Sequence, residues 1–201
     1  MNTENKNLQL RNLVNIRSGI YRKSIPEGEV YQIQKGNFDE DGTLLPLPRL
    51  PELAMESNLS KHFLHGNEIL ITAKGEANTA YLLPEITQDA VASSVFLILT
   101  VKSNELSAPY LTWYLNTRQC QFGLNQLSRG SGVHSLAKRD LQQISVPLPP
   151  LRVQRAILQL IELQRSEREL YQQLITEKQR LAEAQLLYLT TGAILPQNIN
   201  A

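Results

Sequence analysis

Few side chains in this chain are placed to hold a metal, move a proton or attack a carbon. His62 and His65 lie three residues apart, but a metal site needs a third ligand at a recognisable spacing and none follows. The pair reads as loop or surface histidines. Residues 39–42, Asp-Glu-Asp-Gly, begin like a calcium loop but lack its later ligands, so a turn is the better reading. The one cysteine, Cys120, can close no internal disulfide and anchor no multi-cysteine zinc site, which fits a reducing, cytoplasmic setting. There is no Gly-x-Gly-x-x-Gly and no P-loop. Gly130, Ser131 and Gly132 are too few for a nucleotide loop and read as a flexible turn, or as a loop whose backbone can approach a phosphate.

The prolines do not supply chemistry either. Residues 148–151, Leu-Pro-Pro-Leu, differ from the Asn/Asp-Pro-Pro-aromatic motif with which amino-methyltransferases hold a target base. The Leu148 side chain has no polar atom to accept a hydrogen bond from an amine. With no catalytic constellation in view, an enzyme is the least favoured reading.

Charge is more informative. Net charge is only +1, yet residues 6–23 contain no acid and five basic side chains, Lys6, Arg11, Arg17, Arg22 and Lys23. Residues 106–139 again lack acids and carry Arg118, Arg129, His134, Lys138 and Arg139. Such segregation can give a nearly neutral protein one positive face suited to nucleic acid. The plainer alternative is ordinary solvated surface charge.

These residues must be positioned by ordinary globular structure, since 42% of the chain is hydrophobic and 19% charged. The start lacks the basic and apolar runs of a signal peptide. The apolar residues 93–101 are about half the length needed to span a bilayer and read as a buried central strand. Residues 29–34 and 68–73 read as further strands. Residues 107–127 open like a helix, with Ser107 as cap and Pro109 in the first turn. Leu111, Tyr114, Leu115 and Phe122 recur there at helical spacing, so Trp113 and the tyrosines are expected in the core rather than as a base-stacking platform. A short helix is expected over residues 135–144, capped by Ser135.

After Pro150 the pattern changes. Residues 151–189 contain no proline and no glycine. Val153, Ile157, Leu160, Ile161, Leu163, Leu170, Leu174, Leu181, Leu186 and Leu189 recur three, four or seven apart among good helix formers. A helix of that span is ~58 Å long at 1.5 Å per residue, too long to bury against a single domain of this size. Its apolar stripe needs a partner helix, in a coiled coil or an antiparallel bundle. The stripe weakens over residues 164–169, where a kink or less buried stretch is expected. Gly192 and Pro196 should end the helix.

Four stretches, in order, resemble one family. Residues 136–161 (LAKRDLQQISVPLPPLRVQRAILQLI) resemble a short helix, a strand ending in Pro-x-Pro-Pro, and a glutamine, here Gln154, near the start of a long helix. Residues 65–83 resemble a Gly-Asp-Ile-Leu-hydroxyl-x-x-Gly strand and turn, with Glu68 in place of the aspartate. Residues 109–117 with 128–136, and residues 186–194, complete the set. Together they resemble the DNA-specificity (S) subunit of type I restriction–modification systems, over nearly the whole chain.

That resemblance implies an α+β fold: a mixed α/β target-recognition globule followed by a long C-terminal α-helix that pairs in a coiled coil or antiparallel bundle. The expected division is residues 1–148 as the DNA-binding globule, 149–190 as the helix for dimerisation and methyltransferase docking, and 191–201 as a tail. A full S subunit has two such globules and two such helices, so this chain looks like a half subunit. The implied partners are double-stranded DNA, a second copy of the chain, and the methyltransferase and restriction subunits, with no membrane. The chain itself would need no cofactor, S-adenosylmethionine residing on the methyltransferase. Candidate DNA contacts are Arg17, Arg22, Lys23, Lys74, Arg129, Ser131, His134, Lys138 and Arg139. Candidate helix contacts are Ile157, Leu160, Ile161, Leu163, Leu170, Leu174, Leu181, Leu186 and Leu189. Two competing readings are an interaction or scaffold module working through its helix without reading DNA sequence, and an S-like chain serving a different defence system.

Overall fold

A computed structural model describes residues 6–48, 50–75, 77–128 and 135–192. It divides into two units, Met1–Arg155 and Ala156–Ala201. The first is a mixed α/β globule. Its main sheet has four strands in the order β2 (Val14–Ser18), β7 (Phe96–Val101), β4 (Ile69–Thr72) and β5 (Ala80–Leu82), each antiparallel to its neighbour. The expected central strand is β7, whose residues Phe96, Leu97, Ile98 and Leu99 are all buried. Strands β3 (Tyr31–Ile33) and β6 (Ala90–Ala92) pair in parallel. β1 (Lys6–Gln9) pairs antiparallel with β8 (Ser145–Leu148), so the first and last strands of the globule close on each other. A four-residue helix, α1 (Leu10–Leu13), links β1 to β2. Apolar side chains from β3, β4, β5, β6 and β7 form one core, in which Phe38 stacks on Tyr81 at 4.1 Å and both meet Phe96 edge-on.

Edge strand β5 is latched rather than left open. The Asn116 side chain accepts from the Ala80 amide (2.9 Å) and donates to the Ala80 carbonyl (2.8 Å), copying a strand neighbour. Asn116 also ends helix α2 (Ala108–Leu115). The helix expected to run through residues 107–127 therefore breaks, and α3 (Arg118–Ser128) sets off anew. Ser107 caps α2 as expected, its hydroxyl accepting from the Tyr110 amide. Tyr110 is buried and Trp113 is half-buried against it. Phe122, one of the apolar positions at the expected helical spacing, is 68% exposed, because the break turns α3 out of the period that α2 sets. Cys120, also on α3, is buried, and burial pushes its thiol up to about 11.

Glu68 is the principal buried charge of the globule, only 3% exposed. Arg17 reaches it across β7 with both terminal nitrogens, at 2.8 and 2.7 Å, and also donates to the Phe63 carbonyl. The Thr100 hydroxyl and the His65 amide donate to the same carboxylate. Five hydrogen bonds thus tie β2, β7, the start of β4 and the 3-10 turn Ser60–His62 with its following loop. The near-dry site makes the pairing obligatory, since a buried carboxylate without its cation is expensive.

Helix α4 (Lys138–Leu141) is shorter than expected and starts after Ala137, with no side-chain cap. Ser135 is not its cap, because its backbone pairs with Lys74 instead. β8 then carries Pro147, tolerated because β8 pairs only with β1. The carbonyls of Pro147 and Ser145 accept from the Tyr110 and Tyr114 hydroxyls of α2. Pro149 and Pro150 follow, and helix α5 (Leu151–Thr191) starts at once. Gln154 in its first turn has no exposed surface. Its amide nitrogen donates to the Glu105 and Pro149 carbonyls, and its oxygen accepts from the Ser107 amide. Through Gln154 that first turn belongs to the globule unit.

The second unit holds the rest of α5, a helix of 41 residues from Leu151 to Thr191. Residues 164–169, where a kink or a less buried stretch was expected, stay helical and are exposed except for the half-buried Arg165. It ends at Gly192, whose φ of +63° is the left-handed closure glycine permits and whose amide returns to the Tyr188 carbonyl.

The Arg17–Glu68 pair is testable. Arg17→Met should destabilise the chain by on the order of 2–4 kcal/mol, less than for a fully buried pair because Arg17 is partly exposed. The double variant Arg17→Met/Glu68→Met should recover part of that loss in urea unfolding. A double variant no more stable than Arg17→Met alone would show that the pairing does not set the cost.

Candidate nucleic-acid interface

The sheet register gathers the predicted cations. β2 and β4 are each antiparallel to β7, so they run parallel to each other and finish at one end of the sheet. Beyond β2 the chain continues through Gly19 to Tyr21, Arg22 and Lys23. A Cβ at Gly19 would lie 2.0 Å from the Ser93 carbonyl oxygen, so only glycine lets the chain pass there. Beyond β4 it continues through Ala73 to Lys74 and Gly75.

The turn after β4 is built by hydrogen bonds. The Thr72 amide and hydroxyl both donate to the Thr79 carbonyl, and the Asn78 side chain donates to the Thr72 carbonyl. Gln121 on α3 donates to the Asn78 carbonyl. Gly75 takes φ +116°, a conformation L side chains avoid. Lys74 is left exposed on this turn. The segment leading into α4 is stitched to it: the Leu136 amide donates to the Ala73 carbonyl at 2.7 Å, and Lys74 pairs with Ser135. Lys138 and Arg139 follow within one turn, both exposed. Lys74, Lys138 and Arg139 thus sit on two segments joined by backbone hydrogen bonds, beside the stretch that holds the expected reading loop. Arg129, Ser131 and His134 of that loop lie outside the described residues.

Arg139 makes a surface ion pair with Asp140 at 3.4 Å, and two of the N-terminal cations are paired as well. Arg17, expected among the DNA contacts, has its guanidinium committed to Glu68 and the Phe63 carbonyl. A cation neutralised by a buried carboxylate has little charge left for a phosphate, so its role is structural. Arg22 is exposed but lies 3.3 Å from Glu56, a surface pair of small energy that an anion could displace. Lys23 is exposed.

Sequence reasoning passed over Lys61 in this region and read His62 only as a loop or surface histidine. Burial lowers the half-buried His62 below the usual 6.5, and the positive charges of Lys61, Arg17 and Arg22 lower it further. His62 is therefore neutral at physiological pH and records the local positive field. Nothing in the spacing of Lys61 signals this, because the cluster forms only once the Ser60–His62 turn is brought against β2. Among the described residues no group of histidine, cysteine, aspartate and glutamate could hold a metal, and no helix is long and apolar enough to cross a membrane.

On α5 the predicted contact residues all present surface. Leu160, Leu163, Leu170, Leu174, Leu181, Leu186 and Leu189 are between 49% and 77% exposed, and Ile157 and Ile161 are half-buried. Ile175, Leu187 and Tyr188, which the stripe omitted, are exposed as well.

A family model described as the type I restriction modification DNA specificity domain matches residues 49–180. No curated protein matches the chain. Twelve solved chains match its fold, and three of them show the likeness. One, from work on complex assembly and conformational transition of the type I R-M system, aligns with TM-score 0.64 and 19% identity over 94% of this chain and 44% of its own. The HsdS subunit from Thermoanaerobacter tengcongensis aligns with TM-score 0.58 and 20% identity over 83% of this chain and 39% of its own. The type I restriction-modification S subunit from M. genitalium aligns with TM-score 0.50 and 16% identity over 90% of this chain and 44% of its own. This chain spans less than half the length of each.

The lowered His62 predicts a pH effect. A base held below its unfolded value leaves the native state short of protons. The stability His62 contributes should be complete above pH 6.5 and should fall as the pH drops through its lowered folded value. In an NMR titration His62 should have a midpoint below 6.5, and Lys61→Ala should raise it. An unmoved midpoint would remove Lys61 from the cluster.

Proposed function

The chain belongs to the type I restriction modification DNA specificity family, and from that membership we propose that it is a half-length specificity subunit, reading one part of a two-part DNA target. The observation that carries this reading is the family match across both units, from residue 49 in the globule to residue 180 on α5. On this reading two copies join through α5 and present two recognition globules related by a two-fold axis. The target is then an inverted repeat with a gap set by the helix. The chain works in the cytoplasm and is itself non-catalytic. It needs no cofactor, while methyltransferase subunits carrying S-adenosylmethionine and a restriction subunit assemble on it.

Phosphate contacts supply affinity and base-edge contacts supply specificity. Lys74, Lys138 and Arg139 suit phosphates, and the neighbouring segment with Arg129, Ser131 and His134 suits base edges. Arg22 and Lys23, leaving the same end of the sheet as Lys74, extend the basic track.

Co-expression with the cognate methyltransferase, followed by mapping of modified bases, tests the proposal. It should yield one inverted, gapped sequence, and unmodified or randomly modified DNA would contradict it. In the same complex Lys74→Ala should weaken binding to all sequences alike and flatten the salt dependence by about one unit. Arg129→Ala should instead relax sequence preference, by on the order of 1–3 kcal/mol at one position. A Lys74→Ala effect confined to one sequence would reverse these two assignments.

A further inference from the structure

We infer that α5 pairs with a second copy of itself in one specific antiparallel register centred on Gln172, selected by two glutamates set among its leucines. The inference rests on the two-copy reading above and adds the alignment of the helices. Ten residues of α5 recur alternately four and three apart and make one heptad seam: Ala156, Leu160, Leu163, Glu167, Leu170, Leu174, Glu177, Leu181, Ala184 and Tyr188. The six leucine and tyrosine members are 49–68% exposed. Such a seam is completed by knobs and holes from another helix. The two glutamates break its apolar run, and they decide the alignment.

Centred on Gln172, the antiparallel pairing sets Leu170 against Leu174, Leu163 against Leu181, Leu160 against Ala184 and Ala156 against Tyr188 of the second copy. Each layer is apolar on both sides. The glutamates fall together, Glu167 opposite Glu177, so neither is driven into a leucine layer. Lys178 of the second copy then stands beside Glu167 on one flank, and Arg180 beside Glu162 on the other. The two-fold repeats both contacts. A slide of one heptad in one direction puts Leu160 on Glu177 and Leu170 on Glu167. The opposite slide puts Leu174 on Glu177 and Glu167 on Ala184. Either leaves carboxylates facing apolar side chains, which is costly without a partner. A parallel, in-register pair sets each glutamate on its own copy and moves Lys178 beside Gln173, where it relieves neither. Polar residues on a seam fix register at a cost in stability, and these glutamates fit that role.

The test uses the full chain in its native dimer. Sedimentation of the wild-type chain at micromolar concentration comes first, and a monomer there would overturn the two-copy reading itself. Leu163→Cys and Leu181→Cys are then made separately and oxidised alone and as a mixture. The native Cys120 is buried, so it stays silent. Positions 163 and 181 of one helix are ~27 Å apart at 1.5 Å per residue, so a disulfide between them must join two chains. The inferred register predicts covalent dimer in the mixture and none with either variant alone. Should a variant lose its dimer, Leu170→Cys mixed with Leu174→Cys gives the same readout nearer the centre. Self-linking of each single variant would show parallel pairing, and linking of Leu163→Cys to Leu174→Cys a slid register. Either result, in a chain that sediments as a dimer, would overturn the register and leave the two-copy reading standing.

Discussion

Leu160, Leu163, Leu170, Leu181, Leu186 and Leu189 each expose more than half their surface on one unbroken helix. Fully burying a leucine contributes about 1.5–3 kcal/mol, so a stripe of this length forgoes a large stabilisation while it stays wet. The rest of the molecule is arranged consistently with that constraint. Helix formers without proline or glycine keep α5 continuous from Leu151 to Thr191, and Gly192 closes it. At its start Pro149 and Pro150 restrict the backbone, and Gln154 spends its whole side chain on three hydrogen bonds inside the globule unit. The helix thus starts from a buried, fully satisfied turn and then presents exposed leucines, the surface that the proposed second copy would cover.

The globule follows a different logic, in which one ion pair frees the surface for others. Glu68 absorbs Arg17, Thr100 and the His65 amide, and the sheet beside it delivers Lys74 to an exposed turn. Because β2 and β4 both finish where β7 begins, two segments separated by about fifty residues of sequence leave the sheet at one end. The Lys74–Ser135 pairing adds a third segment with Lys138 and Arg139. A positive field assembled from three distant segments suits a polyanion better than any one of them would alone.

Much of this was legible in the residues. The apolar run at β7, the Ser107 cap and the glycine- and proline-free helix are local signals, and local signals survive folding. The order of four weak motifs was enough to point to the family. What could not be read was set by contacts across the chain. Asn116 breaks the helix expected over residues 107–127 because its amide is needed against Ala80, and Phe122 is turned outward as a result. Ser135 looked like a helix cap, but its backbone was taken by Lys74. Arg17 looked like one more cation in an acid-free run, because its carboxylate lies fifty-one residues away. The charge pattern could not say which cations were already spent on carboxylates.

The central claim is that α5 is a spacer whose length fixes the gap between two DNA-reading globules. It is tested most directly by inserting one seven-residue heptad after Gln172 and mapping the bases modified by the assembled methyltransferase. Seven helical residues add ~10.5 Å, on the order of three base pairs at 3.4 Å each. The account predicts the same two half-sites separated by a gap about three base pairs longer. An unchanged gap, or altered half-sites with the original gap, would contradict it.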